Sequence, residues 1–338
     1  MPMSWEKDLK PIFRPEDYHW GKLKADPDKC TGEKCGLCIE NCPFDTWEMD
    51  ENYIPRMKDN WACFSCYNCM VACPEDAISI IESYHVDSGF WKTLPSPLPA
   101  RMPLEPRDAE GRPDQWTTVE KEVFTRRSVR NFSDKPVPEH LIKRVLEAGR
   151  FAPSAGNSQP WKFIVVTNKA LMKGIDESVV NILNGLFNTY IDDENVKGLA
   201  AGYEADPKPG TWDPRLVFGG FEKGALRVKN ILLGAPALIL IAGDSRAIGG
   251  PEVQVGICGQ NIVLAAHSLG IKATWVGFAV VLNWVPALLE KLGVKDPFKI
   301  VTSVVLGYPK FKQEGVVPRE FRPITWFREG VDGPDIEK

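Results

Sequence analysis

The stretch CTGEKCGLCIENCP, residues 30–43, and its echo CFSCYNCMVACP, residues 63–74, hold eight of the nine cysteines in the chain. The first reads Cys30-x4-Cys35-x2-Cys38-x3-Cys42-Pro43 and the second Cys63-x2-Cys66-x2-Cys69-x3-Cys73-Pro74. Three closely spaced thiolates wrap three corners of an iron–sulfur cube, and the fourth cysteine of each run is directed to the other cube. One [4Fe–4S] cluster is therefore expected on Cys30, Cys35, Cys38 and Cys73, and a second on Cys63, Cys66, Cys69 and Cys42. Zinc is the competing reading. It favours separated Cys-x2-Cys pairs with four ligands per site, whereas each run here has four cysteines and ends in Cys-Pro. The prolines stop a helix and turn the chain after the last ligand. A small cysteine-dense module is short of core, so bound clusters should supply part of its folding free energy.

The surroundings of these ligands resemble bacterial two-cluster ferredoxins over about residues 25–82, including the closing CPEDAISI. One departure is the gap of four residues between Cys30 and Cys35, where two is usual; it enlarges one loop. The first twenty residues contain no apolar run that reads as a signal peptide. The longest uncharged apolar stretch, Ile231 to Gly243, is too short to span a bilayer and reads as a buried strand with its approach. Cysteines in this pattern without a secretory signal point to metal ligation in a reducing compartment. A cytoplasmic protein without a membrane span is expected. With a formal charge of −4 and 25% charged residues, the composition gives no sign of nucleic-acid binding.

Further along, the chain divides into three. Residues 1–85 carry the cysteine motifs. Residues 86–116 contain Pro95, Pro97, Pro99, Pro103, Pro106 and Pro113, which predicts an extended, stiff connector. Residues 117–338 mix helical and strand patterns, so the fold class is α+β or α/β. Thr117 and Glu120 have capping-box spacing. Helices are predicted over Pro138–Gly149, Pro251–Leu269 and Val285–Leu292, with Gly270 a good terminator of the second. Strands are predicted over Trp161–Thr167, Ala237–Ala242 and Phe298–Leu306. Asn168 to Asn230 mixes helix-like stretches with a loop. Cys258, inside the second helix, reads as a core residue.

Two segments of the large region carry chemistry. Arg126-Arg127-Ser128-Val129-Arg130-x-Phe132 follows the first helix; alone, a basic run there is a solvated face favouring the dipole's negative end. Ala152-Pro153-Ser154-Ala155-Gly156-Asn157-Ser158-Gln159-Pro160-Trp161 lies between a helix and a strand. Its small residues let backbone approach a ligand, and Asn157 offers a donor and an acceptor to a heterocycle edge. Together these segments resemble the nitroreductase superfamily over most of residues 120–325. The resemblance implies an α+β fold, an intertwined homodimer and FMN at the subunit interface. It assigns Arg126, Arg127, Ser128 and Arg130 to the FMN phosphate and ribityl chain. It assigns Pro153, Ser154, Ala155 and Asn157 to the isoalloxazine. Thr274-Trp275-Val276-Gly277-Phe278 matches the loop whose backbone faces flavin N5, with Val276 and Gly277 the expected contacts. Leu306-Gly307-Tyr308-Pro309 and then Arg322-Pro323 also match. Arg322 is expected at the phosphate, where a planar fork suits a dianion, and Arg319 competes for that place. The Pro251–Leu269 helix looks like the central dimer helix, with Gly256, Gly259, Ala265 and Ala266 permitting close packing.

Clusters exchange electrons singly, whereas a flavin can deliver them in pairs. One chain with both is expected to convert between the two modes. The donor would be a low-potential carrier such as a ferredoxin. The acceptor would be a small organic molecule: a nitroaromatic, quinone, enone or halogenated aromatic. Phe187, Tyr190, Tyr203, Trp212 and Phe218 are aromatic candidates for a cover over the flavin. His19, His85, His140 and His267 are scattered, and no catalytic residue is assigned. The alternatives are an electron carrier whose FMN serves a partner protein, a flavin-remodelling enzyme, and direct use of NAD(P)H; the chain shows no Gly-x-Gly-x-x-Gly fingerprint.

Overall fold

The computed structural model describes residues 18–59, 63–87, 98–100, 105–191, 194, 215 and 230–337. In the N-terminal module the order is β1 (Tyr18–His19), β2 (Lys22–Ala25), α1 (Leu37–Asn41), β3 (Trp47–Met49), β4 (Pro55–Met57), α2 (Asn68–Ala72), β5 (Ile78–Glu82) and β6 (His85–Val86). Antiparallel pairs join β2 to β5, β3 to β4 and β1 to β6. The duplication seen in the cysteine runs recurs in the backbone. Each short helix follows a left-handed residue, Gly36 at φ 63° or Tyr67 at φ 54°. Each ends in an extended cysteine, Cys42 at ψ 116° or Cys73 at ψ 113°. Glycine takes the left-handed conformation at little cost, but tyrosine does not. Tyr67 is held there by burial and by a 2.8 Å hydrogen bond between its hydroxyl and Ser83 Oγ.

The module's core is thin: Leu23, Trp47, Met70, Val71 and Ile78 pack among Cys38, Cys42, Cys63 and Cys69. Its edge is closed by His19 and His85, which face each other across β1 and β6 and stack at 4.2 Å with only 2° between the rings. Asp87 takes a 2.6 Å bond from His19 Nε2. Glu82 Oε1 lies 3.4 Å from His19 Nδ1 and 4.0 Å from His85 Nδ1, so the two rings and this carboxylate face one another.

The large domain begins with α3 (Thr118–Thr125), opened by a reciprocal capping box between Thr117 and Glu120. It continues with α4 (Glu139–Arg150), β7 (Trp161–Val166), α5 (Lys169–Ile191), β8 (Ala237–Asp244) and α6 (Pro251–Ser268). Then come β9 (Lys272–Trp275), a 3-10 stretch over Gly277–Trp284, α7 (Pro286–Lys291), β10 (Phe298–Gly307), β11 (Ile324–Trp326) and β12 (Asp335–Glu337). The sheet order is β7-β8-β10-β9, every pair antiparallel.

Side chains alternate across a strand, and β8 uses both faces. Leu238, Leu240 and Ala242 meet Ile175, Val179 and Leu183 of α5. Ala237, Ile239 and Ile241 meet Val145 of α4 and Val255, Ile262 and Ala266 of α6. Because helices cover both faces, β8 is apolar without interruption, as its sequence predicts. Each fully buried aliphatic side chain here contributes about 1.5–3 kcal/mol by removal from water. Cys258 is part of this packing, and burial pushes its thiol up to about 12.

Gly307 links two of the sequence motifs. A Cβ there would stand 2.7 Å from Phe132 Cδ1 and 2.8 Å from Pro236 Cδ. Its absence lets Phe132, the aromatic that closes the arginine segment, cover the end of β10.

Two features differ from the sequence reading. Where the sequence reads as helix-like stretches mixed with a loop after Asn168, one continuous helix, α5, runs over Lys169–Ile191. The loop expected over Thr274–Phe278 is instead the end of β9 followed by the 3-10 stretch. The proline-rich connector is also tied down: Ala100 and Arg319 exchange backbone hydrogen bonds of 3.1 and 3.0 Å. The two domains share packing. Trp20 and Phe64 lie against the large core, and Val317 enters the core of the cysteine module.

Candidate functional site

The four-fold grouping expected from the spacing is visible in space. Cys30, Cys35, Cys38 and Cys73 line one recess, with Pro55, Pro74 and Ile78. Burial pushes the Cys38 thiol up to about 12, and crowding by Cys73, Cys30 and Cys35 adds to this. Burial likewise pushes Cys63 up to about 12, with Cys66 and Cys42 adding. Cys69 is raised by burial and then by Cys66, Cys63 and Cys42. Thus Cys42 sits with the second run and Cys73 with the first. All nine cysteines are free thiols. Buried and half-buried thiols pressed together in fours ionise at a cost unless a cation takes the charge, and metal coordination does that. The donor sets fit two iron–sulfur clusters.

The arginine segment forms the second centre. Ser128 lies beside Ala273 of β9 in a parallel bridge, and the Thr274 hydroxyl bonds the Val129 carbonyl. Arg127 is buried at 2% exposure. The Arg126 guanidinium is held below its ordinary value by burial, and then by Arg319 and Arg130 nearby. Its Nη1 is buried with no hydrogen-bond partner. Lys272 is lowered by burial and by Arg127, against the pull of Glu122. Lys272 Nζ donates to His267 Nδ1 at 2.7 Å, and His267 Nε2 meets Thr125 Oγ1 at 3.1 Å. Burial, and then Lys272, Arg127 and Arg126, bring His267 down to about 4, so the ring is neutral at pH 7. A cluster of cations that depress one another, one with a buried donor unused, fits a dianion such as a phosphate.

Arg322 does not join this cluster. It is 77% exposed and pairs with Glu320 at 2.6 Å. Arg319, fixed by its backbone pairing with Ala100, is the C-terminal arginine beside Arg126. Val276 is buried and spends its N–H on the Ser303 carbonyl at 2.9 Å. Gly277 is exposed, and nothing lies within 4 Å of where its Cβ would stand. Of these two, only Gly277 presents open backbone.

The loop with Pro153, Ser154, Ala155 and Asn157 is held at the other end of α6. Ala155 N–H donates to Gln254 Oε1 at 3.0 Å, and Gln254 Nε2 donates to the Ile248 and Gly250 carbonyls. Gly156 and Asn157 are left-handed, at φ 58° and 54°, and both are exposed. Gln254 and His267 are thirteen residues apart, roughly 20 Å along a helix axis. Within one chain, the loop and the arginine segment therefore do not meet. On α6 itself, Gly259 faces Trp275, where a Cβ would come within 2.2 Å, and Ala266 faces the core. Gly256 is open, flanked by the exposed Val253 and Ile257. Phe187 is a core residue of α5. The side chains of Tyr190, Tyr203, Trp212 and Phe218 lie outside the described residues.

Several residues that sequence reasoning passed over support these centres, and one of them joins the two. Asn131, next to Arg130, donates to the Glu40 carbonyl at 2.9 Å. Thr46 and Ala77 each stand four residues after a closing cysteine, and their N–H groups reach Cys42 Sγ at 3.4 Å and Cys73 Sγ at 3.3 Å. That repeated offset was readable from the duplication. Asn131 and Lys272 carried no signal in spacing.

The nitroreductase family model matches residues 123–308, and a 4Fe-4S dicluster domain model matches residues 29–78. A protein of Archaeoglobus fulgidus assigned as an NADH dehydrogenase/NAD(P)H nitroreductase is 29% identical over 198 residues, covering 57% of this chain and 87% of that protein. An NADH dehydrogenase of Thermus thermophilus is 45% identical over 56 residues, 17% of this chain and 27% of its own length. A nitroreductase with bound FMN from Desulfitobacterium hafniense has 26% identity and a TM-score of 0.46, covering 61% of this chain and 96% of that one. No described helix is long and apolar enough to cross a membrane.

Proposed function

This chain belongs to the nitroreductase family, and from that premise we propose that it is an iron–sulfur flavoprotein reductase, coupling two [4Fe–4S] clusters to FMN and a small organic acceptor. The observation that carries the reading is the direct seam between the second cysteine set and the arginine segment, made by Asn131 on Glu40 and by Trp20 and Phe64 on the large core. Bound FMN would supply the ability to take electrons singly and release them in pairs. Cys30, Cys35, Cys38 and Cys73 hold one cluster; Cys42, Cys63, Cys66 and Cys69 hold the other.

Arg126, Arg127 and Arg319 receive the phosphate, Ser128 and Arg130 the ribityl chain, and Gly277 offers backbone toward the ring. Pro153, Ser154, Ala155 and Asn157 come from a second copy, a reading that the separation along α6 supports. A homodimer also gives cover to Val253, Ile257, Trp284 and Phe327, all exposed in the single chain. A two-fold pairing antiparallel along α6 places each loop over the partner's arginine segment. A reducing, cytoplasmic setting and a ferredoxin-class donor suit exposed thiolate-held clusters. The acceptor class is nitroaromatic, quinone, enone or halogenated aromatic, in line with the family.

Anaerobic purification with iron, sulfide and flavin analysis tests this. About eight irons per chain is expected from two cubes, with one FMN and twice the chain mass by light scattering. A low-potential one-electron donor should then reduce the flavin, and reoxidation by a nitroaromatic or quinone panel should identify the acceptor. Zinc in place of iron, or a colourless protein after careful reconstitution, ends the proposal.

A further inference from the structure

The edge of the N-terminal module gathers side chains that neither cofactor site uses. His19 of β1 and His85 of β6 are paired directly across the strands, and Glu82 ends β5. One ligand atom from each of His19, Glu82 and His85 lies within 4.8 Å of the others, and all three residues are half-buried. Glu82 Oε1 faces the Nδ1 atoms of both rings. Asp87 faces their Nε2 atoms, with Oδ2 2.6 Å from His19 and Oδ1 3.5 Å from His85.

A ligating imidazole offers one nitrogen to the ion and donates its other N–H to a carboxylate, which sets the tautomer. Asp87 is placed to be that carboxylate for both rings, which leaves the Nδ1 lone pairs for an ion beside Glu82. His85 Nδ1 also lies 3.0 Å from the Ser83 carbonyl. A proton shared there moves to Nε2 when an ion binds, and Asp87 accepts it. Ligands on one tetrahedral zinc stand about 3.3 Å apart, since each is roughly 2.0–2.1 Å from the ion. The spacing from Glu82 to His19 is already 3.4 Å, and a small turn of His85 closes its gap of 4.0 Å. Lys22 Nζ holds the far carboxylate oxygen, Oε2, at 2.7 Å, and this bond keeps the Glu82 carboxyl below its ordinary value. Two carboxylates outweigh that one ammonium, so with neutral rings the cluster is anionic and attracts a dication.

We propose that His19, His85 and Glu82 form a metal centre separate from the cysteines, a site for a divalent ion of the zinc class, with Asp87 orienting both rings. Two imidazoles and a carboxylate, with no thiolate, are a zinc donor set and not that of an iron–sulfur cube. Three protein ligands leave a tetrahedral ion one place for water. The ion pins β1 to β5 and β6. Trp20, the residue after His19, packs on the large core, and the Gly21 N–H donates to the Cys63 carbonyl at 2.9 Å. The clamp therefore steadies a stretch by which the cysteine module meets the large domain.

The test uses the full chain with its iron–sulfur clusters reconstituted, so that the motif cysteines are taken. Equilibrated with zinc and desalted, the wild type should retain about one zinc per chain alongside its iron. X-ray absorption at the zinc edge should show only nitrogen and oxygen neighbours, at roughly 2.0–2.1 Å. In a chelator competition, Asp87→Asn should weaken zinc binding by about 10–100-fold, and His85→Ala and Glu82→Gln by more, with iron content unchanged in all three. If His85→Ala also loses iron, Glu82→Gln and the wild-type spectrum decide. Wild-type protein that retains no zinc, sulfur neighbours at about 2.3 Å, or an affinity that the Glu82 and His85 variants leave unaltered overturns the inference.

Discussion

Cys69→Ala should lower bound iron from about eight to about four per chain, the content of one cube. Cys69 is buried on α2 among Cys63, Cys66 and Cys42. The ninth cysteine cannot replace it, because Cys258 is locked into the sheet core with no exposure. Three thiolates remain, without a fourth corner. Reduction of the flavin by a one-electron protein donor should fall by more than the roughly 10–100-fold typical of losing a residue that merely supports a ligand. Light-driven reduction of the bound flavin, which bypasses the clusters, should persist and so report an intact large domain. The N-terminal module should also lose stability, because its few core residues pack directly on these cysteines and metal binding is coupled to folding in such modules. Unchanged iron in this variant would remove Cys69 from the ligand set.

Arg126→Ala should weaken FMN binding by about 2–4 kcal/mol, roughly 30- to 1,000-fold, the range for removing one partner of a buried charge pair. The flavin-free protein should be no less stable. Arg126 lies beside Arg319 and Arg130 and is half-buried, so deleting it relieves repulsion. A loss of affinity without a loss of stability separates a phosphate ligand from a structural arginine. Equilibrium titration of stripped protein with FMN, beside a denaturant melt, reads both quantities. Lysine at this position should recover part of the affinity, since the charge survives while the planar fork does not.

The N-terminal module was largely legible because metal ligation depends on local spacing, and the cysteine runs display that spacing openly. The strands and helices of the large domain were legible where one period ran cleanly, as in β8 or α4. Helix α5 was harder. Asn168 caps it by accepting the Leu171 N–H at 2.9 Å, and Met172, Ile175, Val179, Leu183 and Phe187 form its buried stripe. Gly174 and Gly185 dilute that stripe, so the sequence shows helix-like stretches there without marking one continuous helix.

The site was only half readable. The arginine segment and the Ala152–Trp161 loop announce themselves as motifs, but their separation is set by the length of α6 and by which end of it each contacts. The choice between Arg319 and Arg322 depended on the tie to Ala100 in the proline-rich connector, a pairing across more than two hundred residues. Spacing along the chain contains neither fact.

The placement of the arginine segment and the Ala152–Trp161 loop at opposite ends of α6 has a genetic consequence. If each pocket draws its arginines from one subunit and its loop from the other, two defective alleles can rescue one another. A chain with Arg126→Ala mixed with a chain altered at Asn157 yields hybrid dimers in which one pocket inherits both lesions and the other inherits none. With random pairing in a two-fold dimer, about one quarter of all pockets should be sound. Neither mutant alone would contain any, so activity would appear only on co-expression.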